Sequence, residues 1–424
     1  MTMQTENRDY FTDLSVLLDP YEFFENARAL GPIGKLPARD ISFVTGFDES
    51  LQVLRNIDDF SSVISTGGPT LPLPFEPSGD DISEQIESHR TQIAASDLLV
   101  AYDGARHTAS RSLLTKLFVP SRLKANEEFM RTYADQLAKE VVAKGSCDLI
   151  NEVATPFVTL VIADLLGVPD ADREAFRKVL DAGPPAGNME AEDRPTSGGV
   201  LEYLAHYFAG YVQDRRANPR QDILTELATS TYPNGTLPDL MEIVRLATFL
   251  FAAGQDTSAK LLGNALRRIA EEPQLQQQLR DNRALIPDFI EEVLRLEGST
   301  KCTFRLVRKK TKVGDVEFEA GAKLVIAFAA ANRDPRRWPE PNLFKLGREK
   351  IKEHLAFGRG AHTCVGAPLA RAEVRVMLDR LLEHTSEIKL SEEKHGPAGN
   401  RKLNYEPSFI IRGLANLFLE LKPR

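Results

Sequence analysis

Apolar positions three and four apart dominate this chain, and strict alternation is confined to a few short stretches. Helical runs are predicted over residues 21–29 behind Asp19 and Pro20, over 121–143 with Ser121 as cap, and over 200–216. A longer run covers 239 to about 270, another covers 287–296, and one more begins at Ala367, where Pro368 suits a first turn. Strands are expected only at 41–46, 304–307, 316–318, 323–328 and 409–411. The fold class implied is mainly α with a small β region. Two stretches, 65–98 and 183–199, are rich in Pro and Gly and have no clear period, which in a compact enzyme marks lids or surface loops.

At 424 residues and 42% hydrophobic content the chain can bury a large core, and no low-complexity linker divides it. A single domain over 1–424 is therefore expected. The longest apolar run, 246–253, falls far short of the roughly 20 residues of a membrane span, and no charged-then-apolar leader opens the chain. The expectation is a cytoplasmic protein with no membrane partner. Cys147, Cys302 and Cys364 are an odd, widely spaced trio that makes neither a disulfide framework nor a Cys-x-x-Cys pair. The net charge of −8, from 53 basic against 61 acidic residues, is the wrong sign for gripping phosphate backbones, so nucleic acid is not expected as a partner.

The third cysteine sits in Phe357-Gly358-Arg359-Gly360-Ala361-His362-Thr363-Cys364-Val365-Gly366. Three glycines in ten residues let a backbone wrap closely around a bound object. The helix that follows places the sulfur just before a helix N-terminus, where free N–H groups and the dipole favour a thiolate. Taken alone, the same residues also fit a structural cysteine in a glycine-rich turn.

The ten positions resemble the haem-binding loop of the cytochrome P450 family, Phe-Gly-x-Gly-x-His-x-Cys-x-Gly, at every fixed position. The resemblance implies a single large helical domain with haem b (iron protoporphyrin IX) between the long oxygen-binding helix and the helix after the cysteine loop. Cys364 would be the metal ligand, its axial thiolate donating electron density that favours O–O cleavage. It further implies dioxygen as co-substrate and hydroxylation or another oxygen insertion as the reaction. No flavin or ferredoxin segment is evident, so electrons are expected from NAD(P)H through a ferredoxin reductase and ferredoxin, to a monomer.

The long helical run carries Ala252-Ala253-Gly254-Gln255-Asp256-Thr257 in its apolar middle. Burying an unpaired carboxylate costs several kcal/mol and a helical glycine roughly 1 kcal/mol relative to alanine, so the segment gives up stability. The Thr257 hydroxyl can bond the Ala253 carbonyl four residues back and, with the glycine, open the helix into a notch. A kinked core helix with a solvated polar turn is the alternative. The segment also resembles the family's Ala/Gly-Gly-x-Asp/Glu-Thr signature, which assigns Asp256 and Thr257 to proton delivery toward dioxygen.

Glu292 and Arg295, three apart on one helical face, suit an ordinary ion pair. By resemblance they match the family's structural pair, whose further partner is sought near residues 331–335. Four positions resemble the family's haem propionate donors: His107 and Arg111 at i, i+4, Arg305 in its strand, and His362 two before the cysteine. Phe357 would pack on the haem's proximal face. The resemblance draws pocket walls from Leu71, Phe75, Leu98, Phe249, Ala252, Ala253, Lys301, Thr303, Phe409 and Ile410, most of them apolar or small.

A small hydrophobic substrate of terpenoid, aromatic, steroid or fatty-acid type follows from those walls. Lys301 departs from the family's apolar pattern; it would pair a substrate anion, or else point to solvent or a protein acid. Arg106, Lys116, Arg122, Lys124 and Arg359 would form a basic patch that steers an acidic ferredoxin. Competing readings are a peroxide-driven peroxygenase or decarboxylase, a non-catalytic haem-thiolate sensor, and a cysteine hydrolase with His362 as base.

Overall fold

In a computed structural model, residues 8–36, 39–115, 118–181 and 198–424 are described. The helices that frame the site are α1 (Gly104–Thr115), α2 (Pro120–Lys144), α3 (Thr155–Leu165), α4 (Gly198–Ala217), α5 (Leu240–Glu271), α6 (Ile286–Glu297) and α7 (Ala367–His384). The longest predicted run thus becomes one helix, α5, its first turn closed by the Asp239 side chain accepting from the Glu242 N–H. It packs against α3, α4, α6 and α7. Being apolar on most faces, α5 must run through the core, and Leu246, Phe251, Leu262 and Leu266 are all buried there. Ser121 does not cap α2: Pro120 takes the first turn, where its fixed φ is pre-organised, and Gly145 ends the helix at φ 78. Among the described residues no helix is long and apolar enough to cross a membrane.

A five-stranded sheet lies beside the helices. Its strands are β1 (Ile33–Lys35), β2 (Ile41–Val44), β3 (Phe60–Ser61), β4 (Thr303–Val307) and β5 (Lys323–Ile326), in the order β1-β2-β5-β4-β3. Only β2 and β5 pair in parallel. The expected strand at 323–328 is cut short because Phe328–Ala331 turns helical. Residues 316–318 pair with Thr311–Val313 in a separate ribbon. Residues 409–411 are not a strand; they tip a hairpin closed by the Tyr405–Leu414 bridge and touch the rest through Thr300–Ile411. The stretch 65–98 is not wholly irregular, since Ser83–His89 is a helix, while 183–197 lie outside the described residues.

The Glu292–Arg295 pair is completely buried. Arg295 donates two hydrogen bonds to the Glu292 carboxylate, at 2.8 and 2.9 Å. The further charge is Arg348, whose Nε lies 3.0 Å from Glu292 Oε1, and not a side chain of 331–335. That stretch contributes a carbonyl instead, Asn332, which accepts from Arg295 at 2.9 Å.

Lys301 does not face the cavity, solvent or an acid. It is wholly buried, and its ammonium donates to the main-chain carbonyls of Leu17, at 3.0 Å, and Ser408. Those two carbonyls belong to the end of a short N-terminal helix and to the hairpin, so the lysine ties the two together. Thr303 on β4 takes the cavity-facing role instead.

Arg348→Met, which leaves Glu292 short of a cation, should cost about 3–5 kcal/mol in denaturant unfolding; a loss under about 1 kcal/mol would contradict the network. Burial depresses the Lys301 ammonium to about 7 from 10.5. Between those values the unfolded chain binds a proton that the native lysine lacks, so native stability rises with pH. Lys301→Met should abolish that rise, worth at most about 5 kcal/mol, and leave the affinities of acidic and neutral cavity ligands alike unchanged; identical pH slopes for the two proteins would refute it.

Candidate active site

Two glycines shape the cysteine loop. Gly358 and Gly360 have φ of 66 and 76, and a Cβ on Gly360 would come within 2.4 Å of the Leu54 carbonyl oxygen. The Cys364 N–H donates to the Phe357 carbonyl at 2.9 Å, and Arg111 of α1 donates to the Thr363 carbonyl. Cys364 is exposed only in the sense that it opens into a cavity. Burial pushes its thiol up, against the N–H groups of Gly366 and Ala367 at the start of α7 and against Arg111 and Arg371. The expected bias toward thiolate is thus outweighed by desolvation; a bound metal would supply the charge that favours the thiolate.

The four expected donors converge on the same cavity. The rings of His107 and His362 meet at a tilt of 34° with centroids 4.0 Å apart, and His362 Nε2 lies 3.1 Å from Ser62 Oγ. Burial, with Arg305 beside it, holds His362 down at about 2, so its ring is neutral. His107 is lowered too, by burial and then Arg111, and its Nε2 is buried without a hydrogen-bond partner. Arg305 is buried and donates to the Phe304 carbonyl at 2.7 Å; burial lowers it to about 10. The lasting charge therefore resides on Arg111 and Arg305.

No aspartate or glutamate lines this cavity among the described residues. Three guanidiniums, of Arg111, Arg305 and Arg359, an orphaned imidazole nitrogen and a thiol around an apolar slot fit a flat apolar body bearing two carboxylates, which is the chemistry of haem. Phe357 also lines the slot, with the Arg371 guanidinium 4.6 Å from its ring centroid.

α5 also contributes to the lining, with Phe249, Ala253 and Thr257. Thr257 Oγ1 donates to the Ala253 carbonyl at 3.0 Å, as its position predicts, yet α5 stays α-helical through 252–257. Gly254 serves packing as well, since a Cβ there would sit 2.7 Å from Ile162 Cδ1 on α3. Asp256 does not line the cavity. Burial raises its carboxyl to about 6, Lys260 opposes the rise and Glu406 adds to it.

The cavity encloses about 340 Å3. Phe249, Ala253, Thr303 and Ile410 line it as expected. Leu71, Phe75, Leu98, Ala252, Lys301 and Phe409 do not. Leu71 is 40% exposed, Phe75 packs on His89, and Phe409 is buried against Phe11 and Phe304. Leu99 and Val100, on a single turn of 3-10 helix, replace Leu98, and the phase of α5 offers Leu250 and Ala253 rather than Ala252. Ile162, Leu165, Leu166 and Ile223 were missed although their helices carry start signals, Pro156 in the first turn of α3 and Asp222 capping Ile223–Thr229. Of the expected basic patch, Arg106 pairs with Asp97 at 2.6 Å and Arg122 pairs with Glu226. Lys116 lies outside the described residues.

Comparison with known proteins agrees with this geometry. The family model described as Cytochrome P450 matches residues 196–401. Cytochrome P450 144 of Mycobacterium tuberculosis is 31% identical over 430 aligned positions, covering 100% of this chain and 93% of that protein. The substrate-free form of Mycobacterium marinum cytochrome P450 CYP150A6 superposes with a TM-score of 0.92 and 45% identity, covering 99% of this chain and 100% of that one. CYP109E1 from Bacillus megaterium, in complex with corticosterone, gives a TM-score of 0.80 at 25% identity, with 96% and 99% covered. From the cysteine loop, the α5 segment and these relatives together, the chain belongs to the cytochrome P450 family and is a monooxygenase, an oxidoreductase that incorporates oxygen from dioxygen.

Proposed function

We propose that this monooxygenase inserts one oxygen atom into an apolar substrate of terpenoid or steroid size, with electrons from NAD(P)H delivered by a ferredoxin reductase and ferredoxin. The observation that carries this reading is that the Cys364 thiol and the Thr257 side chain line one apolar cavity flanked by Arg111 and Arg305. Arg111, Arg305, His107 and His362 would hold the propionates of haem b, Cys364 its iron, and Phe357 would lie against its proximal face. Haem so bound supplies dioxygen binding and reduction.

The protein's own part is positioning and proton supply. Phe249, Leu250, Leu166, Ile223 and Ile410 enclose the substrate by apolar burial, with Thr300 and Thr303 the nearby hydroxyls. Water is kept from the reacting carbon by the same walls. Thr257 Oγ1, released from the Ala253 carbonyl, can turn its hydroxyl into the cavity. Asp256, raised to about 6, is near the value at which a carboxyl both takes and gives a proton at neutral pH. The steroid complex of CYP109E1 supports the substrate size.

Electron delivery fits the cysteine side. Arg55 acts on Arg359 there, and Arg359 donates to the Lys352 carbonyl, so positive charge gathers beside the loop even though Arg106, Arg122 and Arg371 are paired with acids. Such a patch suits an acidic ferredoxin. In this reading the whole chain, 1–424, acts as one cytoplasmic, monomeric domain.

Screening apolar compounds for the low-to-high-spin shift, then running turnover with surrogate ferredoxin and reductase in isotope-labelled dioxygen, tests the function. Label in the product is expected; an unlabelled product, its oxygen drawn from water, would refute monooxygenation. Thr257→Ala should keep ligand binding and NADPH consumption while product per NADPH falls several-fold and hydrogen peroxide rises to match. An unchanged product yield would remove Thr257 from proton delivery.

A further inference from the structure

Two ionisable side chains meet Asp256 in an arrangement that cofactor binding does not use. Lys260, one turn along α5, has its ammonium 3.9 Å from Asp256 Oδ1. The same ammonium contacts Glu406 Oε1 and donates to the Leu414 carbonyl at 3.4 Å. Glu406 and Asp256 keep 16% and 21% of their side-chain surface against 7% for Lys260, so solvent reaches the carboxyl groups and not the ammonium between them. Asp256 Oδ2 and Glu406 Oε2 are both buried without a hydrogen-bond partner. Orphaned oxygens are costly unless another state satisfies them, and a proton on either carboxyl would create the donor that is missing.

The backbone is built to bring Glu406 there. Glu406 N donates to the Gly413 carbonyl at 3.0 Å across the hairpin. A Cβ on Gly413 would fall 2.1 Å from Lys260 Cδ, so the lysine stem lies directly on the glycine. Among the described residues, Lys260 from the same helix and Glu406 from the hairpin are the charges that act on Asp256.

We propose that Glu406 is the carboxylate through which protons enter to Asp256, and that Lys260 is a positioning residue that holds the two carboxyl groups at one point. A solvent proton neutralises Glu406. Its transfer to the Asp256 carboxylate leaves Glu406 ionised again, and the Asp256 acid turns the proton toward Thr257. No electrons move in these steps. The inference rests on the reading of Asp256 as a proton carrier.

The test uses haem-loaded protein, surrogate ferredoxin and reductase, and the variants Asp256→Asn, Glu406→Gln and Lys260→Met. Glu406→Gln should slow dioxygen-dependent turnover at least about tenfold and raise the solvent deuterium isotope effect. Ligand-induced spin shifts and product formation driven by added hydrogen peroxide, which brings its own protons, should be unchanged. Without turnover, the infrared band of the protonated Asp256 carboxyl should titrate at lower pH in Glu406→Gln, where a like charge is lost, and at higher pH in Lys260→Met. If Asp256→Asn slows turnover and Glu406→Gln matches the parent in rate and isotope effect, this inference fails and the Asp256 reading survives. If Asp256→Asn is without effect, both fail. Equal losses in dioxygen-driven and peroxide-driven turnover of Glu406→Gln would make Glu406 structural and overturn the proposal.

Discussion

Two adjacent carboxylates on α6 hold the cysteine loop from both ends. Glu292 binds Arg295, Arg348 and the Lys345 N–H, fixing the irregular segment that leads toward the loop. Glu291 binds His354 just before the loop and Arg371 just after it, at 3.1 and 2.5 Å. Burial alone would raise the Glu291 carboxyl, but Arg371 and His354 hold it down at about 2. Buried ion pairs rarely add net stability, because desolvation consumes the Coulomb gain. What they supply here is geometry: segments with no regular hydrogen-bonding ladder of their own are pinned to one rigid helix. Asn332 completes the frame, its carbonyl taken by Arg295 and its side-chain oxygen by the Leu355 N–H at 2.7 Å.

On that frame, the electrostatics of the cavity divide into a charged edge and an apolar body. Arg111 and Arg305 remain cations at any physiological pH, whereas the two adjoining imidazoles, pushed down by burial and by those arginines, act as neutral hydrogen-bonding groups. An arrangement of four cations would have repelled itself; two cations with two neutral partners match two carboxylates. The thiol shows the same economy, its burial opposed by N–H groups at the start of α7.

What the chain's pattern disclosed depended on whether the signal was local. The cysteine loop, the α5 segment and His107–Arg111 each lie within ten residues, and each contributes side chains to one cavity. Arg348 could not be chosen, because it reaches Glu292 across 56 positions and nothing local distinguishes it from other arginines. Lys301 was misjudged for a related reason. Its departure from the apolar pattern was visible, but the carbonyls it binds, Leu17 and Ser408, lie 284 and 107 residues away. Pocket walls failed by a single position at Leu98 and Ala252, where helical phase decides, and failed entirely at α3 and at Ile223. Glu406 was invisible for the same reason as Arg348: its partner is 146 residues distant.

The hairpin 405–414 presents Ile410 to the cavity and Glu406 to Asp256, with Gly413 beneath Lys260. Other walls, such as Ile223 and Leu165, stand on helices that carry no group acting on Asp256. Evolution can therefore reshape the cavity at those helices and change only which molecules fit. An insertion or deletion in the hairpin alters fit and proton supply in one step. The chain has one region free to diversify and another bound to two demands at once, and a search for altered selectivity should begin in the first.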